Sequence, residues 1–268
     1  ILTFFLLKKF IKISHKIQNY GEDNAFLIRL KKIPTSGGLV IFFVFSITFI
    51  FFAYFNFEYL KEISPNRPYL IIVSICALFF TSLYDDFNSI HPLYKLILQV
   101  IFVYASIACL NLDEIILPLK LLILVTVIFW VYILNIINFI DGSDGFLASY
   151  SLFFFASVFL TEIFLLDFSS ISKTISFLIL PILIAFLYFN KPEAKVFMGD
   201  SGSIFLGFLI GFISLDLIIQ GYWKLSFILL MYPLLDCTIT LIIKIKNGHY
   251  PWARLFDYFF LGPIKKNN

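Results

Sequence analysis

The chain has 268 residues, of which 60% are hydrophobic and only 14% charged, and its mean hydropathy is +0.95. Soluble domains run at about 45–50% apolar and about 25% charged, so this balance excludes a water-soluble globular protein and defines a polytopic membrane protein. The net charge is +3, and no nucleic-acid partner is expected.

A membrane span needs roughly 20 mostly apolar residues, and the sequence divides accordingly into 37–55, 69–84, 93–110, 119–140, 146–166, 174–189, 203–220 and 223–243. Residues 1–7 read as the tail of one more helix, because the chain starts at Ile1, not Met, inside an apolar run. The expected fold is all-α: one integral membrane domain over 1–268, with eight complete transmembrane helices and a partial first one. The edges read as truncated, with a shortened N-terminal helix and room for a lost C-terminal one. Nothing resembles a soluble domain, a long linker or a close internal repeat.

Short cytoplasmic loops of membrane proteins are rich in Lys and Arg. If 8–36 is cytoplasmic, the segments 8–36, 85–95, 141–145, 190–202 and 244–268 share that side and carry 15 of the 20 basic residues. The net charge therefore understates a basic cytoplasmic face suited to anionic head groups or phosphorylated ligands. Cys76, Cys109 and Cys237 lie in spans without ligand spacing and read as packing residues.

Nearly all candidate chemistry falls on that face. Lys31-Lys32-Ile-Pro34-Thr-Ser-Gly37-Gly38 is a basic, flexible approach to the first complete span, equally readable as a phosphate contact or as ordinary flanking charge. Asp85-Asp86 closes the next span; neighbours on a helix point about 100° apart, so the pair reads either as a solvated acidic turn or as two acids with separate jobs, one facing a metal or nucleophile and one holding a basic neighbour such as Lys95. Asn135-Ile-Ile-Asn138-Phe-Ile-Asp141-Gly-Ser-Asp144-Gly145 ends the fourth span. A carboxylate near hydrocarbon costs on the order of 3 kcal/mol, so such a run points to a ligand, although the two Asn alone also suit interhelical hydrogen bonds. Asn135, Asn138 and Asp141 share one helical face, which together with loose glycine amides can hold a nucleoside or a metal-bound phosphate. Glu162 and Asp216 sit near the outer ends of their spans and read as interfacial.

Asn190-Lys-Pro-Glu-Ala-Lys-Val-Phe197-Met-Gly199-Asp200-Ser201-Gly-Ser203 leads into a helix, with Ser201 and Ser203 as candidate N-caps. A helix N-terminus attracts phosphate, and Asp200 beside it makes sense with a divalent cation between carboxylate and diphosphate. Gly202, Gly207 and Gly211 admit close helix approach. Asp236 lies deep in the last span, most simply as a structural partner of Lys244, and His15 and His91 read as surface residues.

Asp85-Asp86, Asn135-x-x-Asn138-x-x-Asp141-Gly-x-Asp144-Gly145 and Phe197-Met-Gly-Asp200-x-Gly-Ser203 each stand at a cytoplasmic helix end, in this order. The set resembles the polyprenyl-phosphate N-acetylhexosamine-1-phosphate transferases, and Pro34-x-x-Gly37-Gly38 and Pro233-x-x-Asp236 extend the resemblance along the chain. The resemblance implies ten or eleven transmembrane helices in a bacterial inner membrane. It implies transfer of a sugar 1-phosphate from a UDP-N-acetylhexosamine to undecaprenyl phosphate, with release of UMP. Mg²⁺ is the implied cofactor, with Mn²⁺ as a substitute, and a homodimer is compatible. By resemblance, Asp85, Asp86, Asp141, Asp144 and Asp200 are catalytic, and Asp200, Asn138 and Asp86 surround the metal. Asn138, Asn190, Phe197, Lys95 and Gly199 are the implied substrate contacts, Phe197 by stacking on uridine. The last loop departs from the family's His-rich signature, leaving His249 and Arg254 as its phosphate contacts. That departure argues for the branch acting on UDP-GlcNAc, which starts O-antigen and other lipopolysaccharide or wall polymers, and against the muramoyl-pentapeptide branch. Two other readings stay open: a transporter or lipid flippase, since intramembrane Asp and Asn also mark transport paths, and an inactive descendant of the enzyme.

Overall fold

The computed structural model describes residues 1–17, 33–58, 68–108, 110, 118–164 and 170–248. These residues form α1 (Leu2–Ile17), α2 (Gly38–Phe55), α3 (Pro68–Phe87), α4 (Pro92–Ile107), α5 (Leu119–Phe139), α6 (Phe146–Phe164), α7 (Ile171–Asn190), α8 (Gly199–Ile219) and α9 (Trp223–Lys246), with no strand among them. Seven of the helices are long and apolar enough to cross a membrane. The chain is a polytopic helical membrane protein, and its helices coincide with the expected spans to within a few residues. The exception in length is α4, whose 16 residues rise roughly 24 Å, short of the roughly 30 Å hydrocarbon core.

The axis of the bundle is α8. Every residue from Ser201 to Leu215 is buried, as befits a helix that is apolar all round and so has no solvent face to offer. It packs on α2, α3, α5 and α9. Glycines permit this crowding, as their spacing implies: a Cβ on Gly38 would stand 2.2 Å from the Gly202 nitrogen, and one on Gly211 would stand 2.3 Å from Trp130 Cδ1. Trp130 in turn donates from Nε1 to the Phe208 carbonyl at 3.1 Å, so α5 is keyed to α8 in both packing and register. Stacked rings of Phe42 and Phe79, with centroids 3.8 Å apart, tie α2 to α3.

Two expectations are corrected. The first helix does not stop at residue 7: α1 runs to Ile17 and packs on α2 and α7. Its apolar side, Phe4, Leu7, Phe10 and Ile11, keeps helical spacing through Lys8 and Lys9, and Phe4 meets Phe189 at 4.9 Å. Glu162, near the end of α6, is also not open to its surroundings. It is 1% exposed and accepts from the Ser170 hydroxyl, while Asp216 accepts from Ser172 Oγ at 2.5 Å. Hydroxyls at the start of α7 supply the donors that make these acids tolerable inside the bundle.

Candidate active site

The ends of α3, α4, α5 and α8 converge at one end of the bundle, with the loops that precede α2 and α8 and the turn after α5. The C-terminal turn of α3 brings Asp85 and Asp86, and the two acids diverge as helical geometry requires. Asp85 faces α4: its Oδ1 accepts from the Ile90 amide at 2.6 Å and its Oδ2 pairs with Lys95. Asp86 faces α8, where its Oδ1 accepts from the Asp200 amide at 2.8 Å and its Oδ2 from the Ser201 amide at 3.3 Å. The N-terminus of α8 is thus capped by a carboxylate from another helix. Ser201 and Ser203, expected as caps, lie inside α8, and Met198 at its N-cap makes no side-chain capping bond. The Asp200 and Ser201 amides at the start of α8 are thus occupied, and the Gly199 amide acts on the Asp141 carboxyl nearby. The helix begins at Gly199, four residues earlier than expected, because these carboxylates satisfy its first N–H groups.

Gly199 has φ +76°, a conformation L side chains rarely adopt, and a Cβ there would lie 2.1 Å from the Thr35 carbonyl. The segment before it pairs with the loop leading into α2: Phe197 donates to Pro34 O at 2.8 Å, while Gly37 and Gly38 donate to Phe197 O and Met198 O at 2.9 and 2.8 Å. This short ladder is what the Pro34-to-Gly38 stretch does in the structure.

Lys95, at the start of α4, lies between two acids, pairing with Asp85 and donating to Asp200 Oδ2 at 2.7 Å. His91 caps α4, its Nδ1 accepting from Leu93 at 3.3 Å. From α5, Asn138 donates to Ser203 Oγ at 2.7 Å and also reaches the Asp200 carboxylate. Asp141 follows on the turn after α5. Burial, and then the negative charges of Asp200 and Asp86, hold its pKa well above the usual carboxylate range, against the opposing pull of the Gly199 amide.

Asp85, Asp86, Lys95, Asn138, Asp141, Gly199 and Asp200 therefore form one cluster. Asn190 and Asp144 stand beside it as staples between loops. Asn190 accepts from the Gly145 amide at 3.1 Å and donates to Val196 O at 2.8 Å, and Asp144 Oδ2 accepts from the Ala194 amide at 3.0 Å. Both ends of the Asn190 amide thus hold backbone partners. Phe197 is half-buried on the same loop. His249 and Arg254 lie outside the described residues. Asp236 is buried and accepts from Tyr232 Oη at 3.5 Å.

Missed by the motifs were Ser203 as the acceptor for Asn138, and Gln99, which accepts from Asn135 Nδ2 at 2.7 Å. The signal for Gln99 was its place one turn beyond Lys95 on the same face. A cavity of about 40 Å³ opens between these groups, lined by Lys95, Gln99, Asn135, Asn138 and Asp200 with Thr81 and Ser82 from α3. Among the described residues no three His, Cys, Asp or Glu side chains are grouped to hold a metal. Mg²⁺ does not need such a cage, since it commonly takes one or two carboxylates and completes its shell with water and substrate phosphate. Asp200 with Asn138, close to Asp141, fits that donor set; Asp86 would ligate only in addition to its two bonds to α8.

Fold and site together define a helical membrane protein with a lysine-bridged carboxylate cluster at one end of the bundle. The profile of glycosyl transferase family 4 matches residues 68–218, which hold every described member of the cluster. The chain belongs to that family. It is 32% identical over 262 residues to the phospho-N-acetylmuramoyl-pentapeptide-transferase of Streptococcus uberis, covering 87% of this chain and 74% of the relative. It is 27% identical to the protein of that name from Staphylococcus carnosus, over 73% of this chain and 56% of the relative. A probable undecaprenyl-phosphate N-acetylglucosaminyl 1-phosphate transferase of Bacillus subtilis is 33% identical over 130 residues, 46% of this chain and 35% of that protein. The chain thus spans between about a third and three quarters of these relatives, and they fall in both branches considered from the sequence.

Proposed function

We propose that the protein transfers a sugar 1-phosphate from a UDP-linked N-acetylhexosamine to a polyprenyl phosphate, undecaprenyl phosphate in a bacterial plasma membrane, releasing UMP at the cytoplasmic face. The observation that carries this reading is the Lys95 ammonium bridging Asp85 and Asp200 beside the capped start of α8. Names of the relatives support the same chemistry, and the bias of basic residues toward this end of the chain's loops supports the cytoplasmic side.

The bond that forms joins a lipid phosphate oxygen to the phosphorus bearing the sugar; the bond that breaks is the phosphoanhydride to the uridine-bearing phosphate, which leaves as UMP. A phosphate monoester is already ionised at neutral pH, so the step asks for positioning and charge stabilisation more than for a base. Lys95 meets that need by placing positive charge between two acids, where it can follow a phosphoryl oxygen without leaving the cluster. Asp85 orients Lys95, and Asp86 fixes the start of α8 and with it Asp200. Asn138, braced on Ser203, holds the Asp200 carboxylate in place. Asn190 and Asp144 hold the two loops in one conformation. Mg²⁺, with Asp200 and Asn138 as its protein ligands, would supply the charge neutralisation that two phosphate-bearing substrates require.

The test is incubation of purified protein with undecaprenyl phosphate, Mg²⁺ and, in separate tubes, radiolabelled UDP-GlcNAc or UDP-MurNAc-pentapeptide. Label entering the butanol phase with equal release of UMP is the expected result, and the productive sugar selects the branch. No extractable label with any UDP-sugar, from protein of native melting temperature, rejects the reading.

A further inference from the structure

Gln99 belongs to none of the motifs, yet it is 5% exposed in the apolar part of α4 and bonded across to α5. Asn135 Nδ2 donates to Gln99 Oε1 and to the Val131 carbonyl, each at 2.7 Å. An amide pair between two helices is an orienting contact, because a buried amide that loses its partner loses a hydrogen bond whose geometry fixes one helix against the other. Its position is what gives it consequence. Gln99 is one turn from Lys95 on α4, and Asn135 is one turn from Asn138 on α5, so two polar pairs face each other across the cavity that Asp200 lines.

Lys95 is a flexible cation, and what brings it to Asp200 is the placement of α4. That helix is short and packs chiefly on α3 and α5, apart from the crowded surface of α8. The α4–α5 contact therefore sets how far Lys95 reaches. We propose that Gln99 is a positioning residue for the transfer: its bond to Asn135 holds α4 in the register that puts the Lys95 ammonium between Asp85 and Asp200. This rests on the reading that phosphoryl transfer takes place at the Lys95 cluster.

The test replaces Gln99 by Met, which keeps its length and removes the amide. Displacing a charged group by about an ångström costs on the order of 100-fold in rate, so Gln99→Met is expected to lower kcat about 10- to 100-fold with KM for the UDP-sugar within threefold. Asn135→Leu is expected to do the same, and the double variant to be no worse than either single one, since both remove one contact. The exchanged pair, Gln99→Asn with Asn135→Gln, keeps an amide contact of the same total length and is expected to regain at least tenfold over Gln99→Met. Independently of activity, acylation of Lys95 by an amine-directed reagent, read on its peptide by mass spectrometry, is expected to quicken at least fivefold in Gln99→Met. If Gln99→Met does not fold, Gln99→Asn alone takes its place with the same outcomes. A kcat within twofold of the parent, losses that multiply in the double variant, or an unchanged Lys95 acylation rate overturns the proposal. An inactive parent protein would reject the transfer reading instead, while the acylation rates still decide the role of Gln99.

Discussion

Replacing Asp86 by Ala tests whether a carboxylate from α3 builds the start of α8. In the folded chain Asp86 accepts two backbone N–H bonds, at 2.8 and 3.3 Å. A bond to a charged acceptor contributes about 1.5–3 kcal/mol, and the longer of the two counts for less. Some of that sum is offset, because removing Asp86 also spares the cost of burying its carboxylate and relieves its repulsion with Asp200. A net loss of about 2 kcal/mol remains, which for a chain of this size lowers the melting temperature by about 4–8 °C. Asp86→Asn keeps one acceptor oxygen and is expected to fall between the two. The assay is thermal unfolding in detergent with EDTA, in a Cys76→Ser, Cys109→Ser background. There Cys237, free and 3% exposed in the fold, reports unfolding by reacting with a fluorescent maleimide. If Asp86→Ala melts within 1 °C of the parent in EDTA, the carboxylate is not a cap, and its contribution lies with a metal alone.

Lys95→Met leaves Asp85 and Asp200 facing each other without their shared cation. Loss of one charge-stabilising group costs about 10²–10³ in kcat, so turnover within tenfold of the parent refutes its role. Asp141 carries a raised pKa from burial and from Asp200 and Asp86. An acid raised on folding stabilises least where it must ionise: the penalty is absent below about pH 4 and grows as pH rises toward the folded-state value. Asp141→Asn, without divalent cations, is therefore expected to melt a few degrees above the parent at pH 8 and level with it at pH 4; equal melting at pH 8 contradicts the electrostatic account. Asn190→Ala removes the partners of Gly145 N and Val196 O and is expected to destabilise by about 2 kcal/mol. A raised KM for the UDP-sugar with no change in melting temperature would instead make Asn190 a direct uridine contact.

The spans were legible because membrane helices announce themselves by length and apolarity alone, and the polar runs at their ends stood out against that background. Divergence of the paired acids followed from helical angles, and Lys95 was a candidate partner from its place at the start of the next span. What the sequence hid were contacts made at long range. The donors that Asp86 caps are more than a hundred residues away, and no local pattern distinguishes such a cap from a metal ligand. The continuation of α1 was obscured by its lysines, which a helix can carry on one side while Leu7 is fully buried on the other. Glu162 looked interfacial because its donor, the Ser170 hydroxyl, comes from the next helix. Gln99 escaped notice because one amide in an apolar helix carries no motif; only the meeting of α4 with α5 gives it a partner.

The most direct measurement is product formation from radiolabelled UDP-N-acetylhexosamine and undecaprenyl phosphate by the parent protein and by Asp200→Asn, with UMP release followed in the same tubes. Label in the lipid phase equal to the UMP released, from the parent alone, is the predicted result. Equal lipid labelling by both proteins, or none by a well-folded parent supplied with every candidate UDP-sugar, contradicts the assignment of this cluster as the site of sugar-phosphate transfer.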